Sequence, residues 1–239
     1  MTMARHLHRP ARQRRLLATT SIGAGILAAL ALSAPARAQS FQGTGSVASG
    51  DALISTGAGT TNVLIRTPET VINWTPSDQT GTGTINFQPS GTTASFQADT
   101  SIFGFTVLNR VLPVTAAGVP TNRPIAFNGT VNGNFGGNIW FYSPGGIIIA
   151  GTAAFNVGGL VLTTNDIDTT GGLYDTANNN AIRFGVTAPV AGSFVQVNAG
   201  AQVNAGNYVA MVSPRSSCDM PGGVDRLSTG SPFDRNTTP

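Results

Sequence analysis

Asp166 and Asp168, in "TTNDIDTTGG" (163–172), are the most closely spaced pair of carboxylates in the chain. On a strand, residues two apart point to the same face. Two acids on one outer face would suit a glycosidase or polysaccharide lyase built on stacked strands. In a loop rich in Thr, Asn and Gly, the same acids cap turns, and this is the stronger reading of the segment. A weak calcium site using Asp166, Asp168 and backbone carbonyls is a third possibility. The enzyme reading requires Asp166, Asp168 and Arg183 to converge on one outer face.

Other chemistry is limited by residue count. The two histidines are His6 and His8, and there is no lysine. If the first 38 residues are removed, a Ser–His–Asp arrangement is impossible, and a lysine Schiff base is impossible in any case. Cys218 is the single cysteine. It allows neither an internal disulfide nor a His/Cys metal site. No cofactor is implied. Arg110, in "VLNRV" (107–111), interrupts an apolar stretch and is one of only five Arg between 39 and 215. An outward-facing Arg on a strand is ordinary.

Residues 1–38 have the layout of a secretory signal peptide. Five Arg between 5 and 15 form a basic start, Leu16–Leu32 is largely apolar, and Ala36-Arg37-Ala38 is a small-residue cleavage site. The Arg14-Arg15 pair is too common in such a segment to identify the export route. Six of the 13 basic residues lie here and no acid does, so the cleaved chain carries seven Arg against ten acids. No basic stripe survives, which argues against nucleic acid as a partner.

The 201 residues from 39 onward are rich in Gly, Thr, Asn, Ala and Val, and the whole chain is only 10% charged. Plentiful Val, Ile, Thr and Phe with little net charge indicate a folded all-β chain rather than disorder. Residues 39–50 read as an irregular lead-in. Strand-like runs follow at 62–66, 70–74, 83–88, 93–97, 103–111, 123–127, 138–142, 146–149, 154–157, 159–163, 181–186, 193–198 and 207–212, divided by Gly, Pro and Asn turns. No dodecamer has helical apolar spacing.

Short strands with this spacing fit either a sandwich or a solenoid, and an internal repeat favours the solenoid. "AAFNVGGLV" (153–161) aligns with "AQVNAGNYV" (201–209) at an offset of 48 residues. That offset reads as two coils of about 24 residues each. "VNAGA" (197–201) also returns as "VNAGN" (203–207). In a parallel β-helix, β-branched residues stack inside, while Gly and Asn serve the corners. Asn156–Gly159 and Asn204–Asn207 read as corners. So does Ser143-Pro144-Gly145-Gly146 in "NIWFYSPGGIIIAG" (138–151), because Pro144 has no N–H to give a ladder. Both Trp74 and Trp140 sit in apolar runs and are expected in the core. The last 24 residues, 216–239, break the pattern and read as a disordered tail or the out-of-frame end of a longer protein.

Several stretches resemble, in order, the N-terminal secretion domain of filamentous-haemagglutinin-like exoproteins, the passengers of two-partner secretion. They are "VINWTPSDQTGTGTINFQPSG" (71–91), "FTVLNRV" (105–111), "GNIWFYSPGGIIIAGTAAFNVGGLVLTTNDI" (137–167) and "AGNYVAMVSPR" (205–215). Asn109 and Arg110 match the family's LNRV pair. Ser143, Pro144, Gly145 and Gly146 occupy its N-P-N-G turn, with only Pro144 and Gly146 retained. Its separate N-P-N-L element is not found; "VLPVTAAGV" stands roughly in its place.

The resemblance implies a right-handed parallel β-helix with an N-terminal cap over 39–215, with motif residues Asn109, Arg110, Ser143, Pro144, Gly145 and Gly146. It implies export through the periplasm of a diderm bacterium to the cell surface or medium. The partner would be an outer-membrane barrel transporter with periplasmic receptor domains, so the chain would cross the membrane without spanning it. The expected role is a non-enzymatic secretion-targeting domain of an adhesin, full-length or truncated, with an unknown surface ligand. The competing readings are a polysaccharide-active β-helix enzyme and an outer-membrane barrel, which would need longer alternating strands.

Overall fold

The computed structural model describes residues 39–185 and 187–218. The expected signal peptide and the segment from 219 onward lie outside the described residues. Fifteen strands form, with no α-helix among the described residues. They are β1 (Gly43–Ser49), β2 (Ala52–Gly57), β3 (Thr60–Ile65), β4 (Glu69–Pro76), β5 (Ile85–Gln88), β6 (Thr93–Ala98), β7 (Thr106–Val111) and β8 (Ile125–Phe127), followed by β9 (Thr130–Gly133), β10 (Asn138–Tyr142), β11 (Ile147–Ile149), β12 (Ala154–Thr163), β13 (Phe194–Val197), β14 (Gln202–Val212) and β15 (Arg215–Cys218).

The strands wind into five coils of a parallel β-helix with three faces. On the first face β3, β6, β9 and the first halves of β12 and β14 pair in parallel. On the second face β4, β7, β10 and the second halves of β12 and β14 do the same. The third face is a separate parallel sheet of β5, β8, β11, β13 and β15. β12 pairs with β9 through Asn156 and with β10 from Leu160, so one strand crosses from the first face to the second. The expected corner at 156–159 is therefore a bend inside a continuous strand, with the Gly158 N–H donating to the Gly137 carbonyl at 2.8 Å. A Cβ on Gly158 would lie 1.8 Å from the Gly136 carbonyl oxygen, so only glycine fits this crossing.

Rungs of the first face fall at residues 60, 93, 130, 154 and 202, giving coil lengths of 33, 37, 24 and 48. The two repeat copies are thus adjacent: Asn156 lies directly opposite Asn204. The 48-residue offset is one coil enlarged by an insertion at 164–193, not two coils. A bulge after Val157 also shifts the register, so Gly159 faces Tyr208 and Leu160 faces Val209. Residue-by-residue matching of the two copies instead sets Leu160 against Tyr208.

Residues 39–50, expected as an irregular lead-in, instead begin the cap. β1 runs antiparallel to β4, and β2 antiparallel to β3, covering the edges of the first coil. Phe41 plugs the interior at this end, stacked on Phe87 at 4.9 Å and edge-on to Trp74 at 5.1 Å. At the other end, Ser216 and Cys218 stand opposite Val195 and Val197 in the third face, so the strand pattern continues beyond residue 215. The strand expected at 181–186 does not form over its described part. Ala181 and Phe184 make only isolated antiparallel bridges, to Asp175 and Ile167.

Inside the coils, alternate residues of every face meet in one apolar core that includes Trp74, Phe87, Phe96, Phe127, Phe141 and Phe155. Burying each such side chain contributes roughly 1.5–3 kcal/mol. A second, external cluster lies on the outside of the second face. There the insertion buries Ile167 and Leu173 against Val71, Leu108, Trp140 and Val161. Trp140 is buried as expected, but in this outer layer rather than inside the coils.

Candidate functional site

β7 carries the LNRV residues, and strand alternation separates their roles. Val107 and Val111 join the inner core, and Leu108 joins the outer cluster. Asn109 is fully buried, pointing inward. Its Oδ1 accepts from the Trp74 indole Nε1 at 3.0 Å, and its Nδ2 donates to the Trp140 carbonyl at 3.2 Å. A polar side chain in an apolar interior is tolerated because both ends of its amide are paired.

Arg110 points outward but is not a solvated surface residue. Its Nε donates to Asp166 Oδ1 at 2.8 Å, and its Nη2 to the Ile167 carbonyl at 2.6 Å. Arg110 is 18% exposed and Asp166 42%, so solvent partly screens the pair, while the second bond to the Ile167 carbonyl fixes its geometry. Further contacts hold the insertion down. Glu69 Oε2 accepts from the Leu173 N–H at 2.5 Å. The Tyr174 hydroxyl lies 2.9 Å from Thr106 Oγ1. The Tyr174 ring stands edge-on to Trp140 at 5.2 Å. Outside the insertion, Trp140 Nε1 donates to the Tyr208 hydroxyl of β14 at 2.9 Å. Burial, reinforced by Tyr174, pushes the Tyr208 phenol well above its usual range, so it stays neutral. Burial and then the Asp166 charge raise Tyr142 as well, with Arg110 opposing.

Ser143-Pro144-Gly145-Gly146 forms a corner, not a hairpin: β10 lies in the second face and β11 in the third. The Ser143 N–H donates to the Thr163 carbonyl at 3.1 Å. A Cβ on Gly145 would sit 2.1 Å from the Asn122 carbonyl oxygen. Gly146 has φ of 141°, and its carbonyl accepts from Ile125 N–H at 3.0 Å. The corner adjoins the LNRV strand, since Tyr142 is in register with Arg110 and Phe141 with Asn109. Ser143, Gly145 and Gly146 are buried and Pro144 is half-buried. Of the six motif residues, Asn109, Ser143, Gly145 and Gly146 are therefore enclosed by their own coil neighbours.

The acids do gather on the insertion, but each serves an arginine or a turn. Asp166 is taken by Arg110. Asp168 lies 3.8 Å from Arg183 and accepts from the Thr170 N–H at 2.9 Å. Asp175 also lies 3.8 Å from Arg183 and accepts from Asn178 Nδ2 at 2.7 Å. These hydrogen bonds, Thr170 for Asp168 and Asn178 for Asp175, hold both carboxyls below the usual carboxylate range. Asp166 and Asp168 thus face different cations, and Asp166 does not share Arg183. Among the described residues, no three His, Cys, Asp or Glu side chains are placed to hold a metal. No helix of the described residues is long and apolar enough to cross a membrane.

Sequence reasoning did not find the roles of Glu69, Tyr174 and Tyr208, nor the pairing of Arg123 with Asp78. Arg123 Nη2 meets Asp78 Oδ2 at 2.6 Å, while its Nε and Nη1 donate to the carbonyls of Gly83 (2.8 Å) and Asp78 (2.9 Å). It ties the loop after β4 to the loop before β8. Arg123 opens the strand-like run 123–127, whose strand begins only at Ile125, so the sequence carries no signal for its loop partner.

No protein-family model matches the chain, and no curated protein matches it. Among solved structures, it is similar to the crystal structure of the HMW1 secretion domain from Haemophilus influenzae, with a TM-score of 0.45 and 18% identity. The match covers 72% of this chain, which spans 44% of the length of that structure.

Proposed function

We propose that residues 39–218 are the secretion-targeting domain of a two-partner-secretion exoprotein of the filamentous-haemagglutinin type. The observation that carries this reading is where the family-like stretches fall. Within them, "INW" in β4, "LNRV" in β7, "NIWFY" in β10, "GGLV" in β12 and "NYVAMV" in β14 are consecutive strands of one face, while "INFQ" in β5 and "III" in β11 lie together on the third. Stretches that resemble one family and build one contiguous surface form a unit rather than scattered coincidences.

In this reading the chain passes unfolded through an outer-membrane barrel transporter and winds into its β-helix outside. The single cysteine of the sequence precludes an internal disulfide that would obstruct threading. The periplasmic receptor domains of the transporter engage the extended chain, pairing it with a sheet edge. The domain is non-enzymatic, takes no cofactor, and directs an adhesin to the cell surface or medium.

The test is export in a diderm host, with and without the two-partner transporter encoded in the same genome. The chain is expected in the medium only when the transporter is present. Equal release without it, or retention in the periplasm with it, refutes the proposal.

A further inference from the structure

We infer that residues 166–185 form a strap that closes over the outward side chains of the LNRV strand on folding, and that the transporter's receptor domains compete with this strap for Arg110. The inference rests on the reading of the chain as a two-partner-secretion passenger and identifies the chemistry of its recognition.

The strap shows what the covered surface binds. Arg110 receives a carboxylate from Asp166 and, one residue later, the Ile167 carbonyl. Beside it Leu108, Trp140 and Val161 receive the apolar side chains of Ile167 and Leu173. The surface therefore accepts an acid followed by a branched apolar residue in an extended segment. A receptor surface presenting a carboxylate beside apolar side chains has the same complementarity to Arg110 and Leu108.

The order of the chain makes this occupancy conditional. Val71, Leu108, Trp140 and Val161 all precede residue 164, so the buried part of the platform is made before the strap, and Tyr208 and Ala210 of β14 join its edge afterwards. In the extended chain 56 residues separate Arg110 from Asp166, and the guanidinium is free to meet a receptor. Winding of the coils brings β7, β10 and β12 side by side and delivers the strap onto them. The captured arginine then has no cation to offer a partner. Folding would release the passenger and weaken its recapture, since a receptor must then displace the strap.

The full exported chain is tested against the immobilised periplasmic portion of its transporter. Wild type diluted from urea is expected to bind, and native wild type to bind at least about tenfold more weakly. Asp166→Asn should raise native binding several-fold. Asp166→Ala with Leu173→Asn should raise it further while the strand circular dichroism is retained, and adding Arg110→Met should abolish the gain. In native wild type, saturating receptor should speed hydrogen exchange at the Leu173 amide, which ties the strap to Glu69, and at the Gly185 amide, which closes the strap on itself through the Asp166 carbonyl. Equal binding of native and unfolded wild type overturns the strap, as does unchanged exchange at these amides. An opened variant that keeps its strand signal without gaining binding also overturns it. Failure of the unfolded chain to bind at all overturns instead the reading of the chain as a passenger.

Discussion

Trp74 and Asn109 meet inside the coil stack, 35 residues apart in the chain, with the indole nitrogen donating to the amide oxygen at 3.0 Å. Asn109 lies between two tryptophan-bearing strands and satisfies a polar group of each. Asn109→Ala would leave the Trp74 N–H and the Trp140 carbonyl buried without this partner. The expected cost is about 2–4 kcal/mol, since each orphaned group costs about 1–3. Arg110→Met, one residue away on the outer face, should cost about 1 kcal/mol or less while loosening the insertion. Urea unfolding of both variants measures the contrast, and equal losses would contradict the separation of inner and outer roles.

The corner after β10 makes a second prediction. Gly145 lies against the backbone of Asn122, with an added Cβ only 2.1 Å from its carbonyl oxygen. One backbone must move, and Gly145→Ala should destabilise the chain by roughly 1–3 kcal/mol. Gly83→Ala is the control, because nothing lies within 4 Å of its added Cβ. Thermal unfolding should show a fall for the first and a change within about 0.5 kcal/mol for the second.

Phe41 gives a third. It is fully buried among Trp74, Phe87, Phe96, Phe127 and Phe141 and closes the apolar interior at the capped end. Phe41→Ala should cost about 3–5 kcal/mol. Exchange of backbone amides should rise first in β3, β4 and β5, the coil where Phe41 packs most closely, on Phe87 and Trp74. Uniform acceleration in all five coils would show that the cap is not a local lock.

The fourth concerns acid. Hydrogen bonding from Arg123, then from the Gly81 N–H, lowers the Asp78 carboxyl from 3.8 to about 2. A carboxylate depressed in the folded state adds stability that is fully present above about pH 4 and lost as the pH falls toward 2. Asp78 is 44% exposed, so solvent screens the pair and the effect is modest. Asp78→Asn should lower stability by about 1 kcal/mol at pH 6. The gap to wild type should close between pH 4 and pH 2, as read from urea midpoints. A gap that persists unchanged at pH 2 would exclude the ion pair as its source.

Much of the architecture was legible in local sequence because its causes are local. The Pro-Gly-Gly stop at 144–146 requires the chain to turn, and β-branched runs on either side require strands. The copy of "AAFNVGGLV" at 201–209 signals stacking, because like residues in neighbouring coils occupy like positions. Other features were hidden for equally physical reasons. β9 reads as a turn, since "TVNG" is half turn-forming residues, yet ladder pairing on both sides holds it extended. β1 and β2 are rich in Gly, Ser and Thr and lack a strong apolar pattern, because as cap strands they are mostly exposed.

By itself, the sequence determined an all-β chain of short strands, wound rather than hairpinned at 143–146, with Arg110 interrupting an apolar strand. Only the tertiary structure decided that the 48-residue offset is one coil carrying an insertion, and that Arg110 is held by Asp166 on that insertion. Strand propensity and turn chemistry act over a few residues and are written in local sequence. The distance between coils and the partner of a buried charge depend on which remote segments the winding brings together.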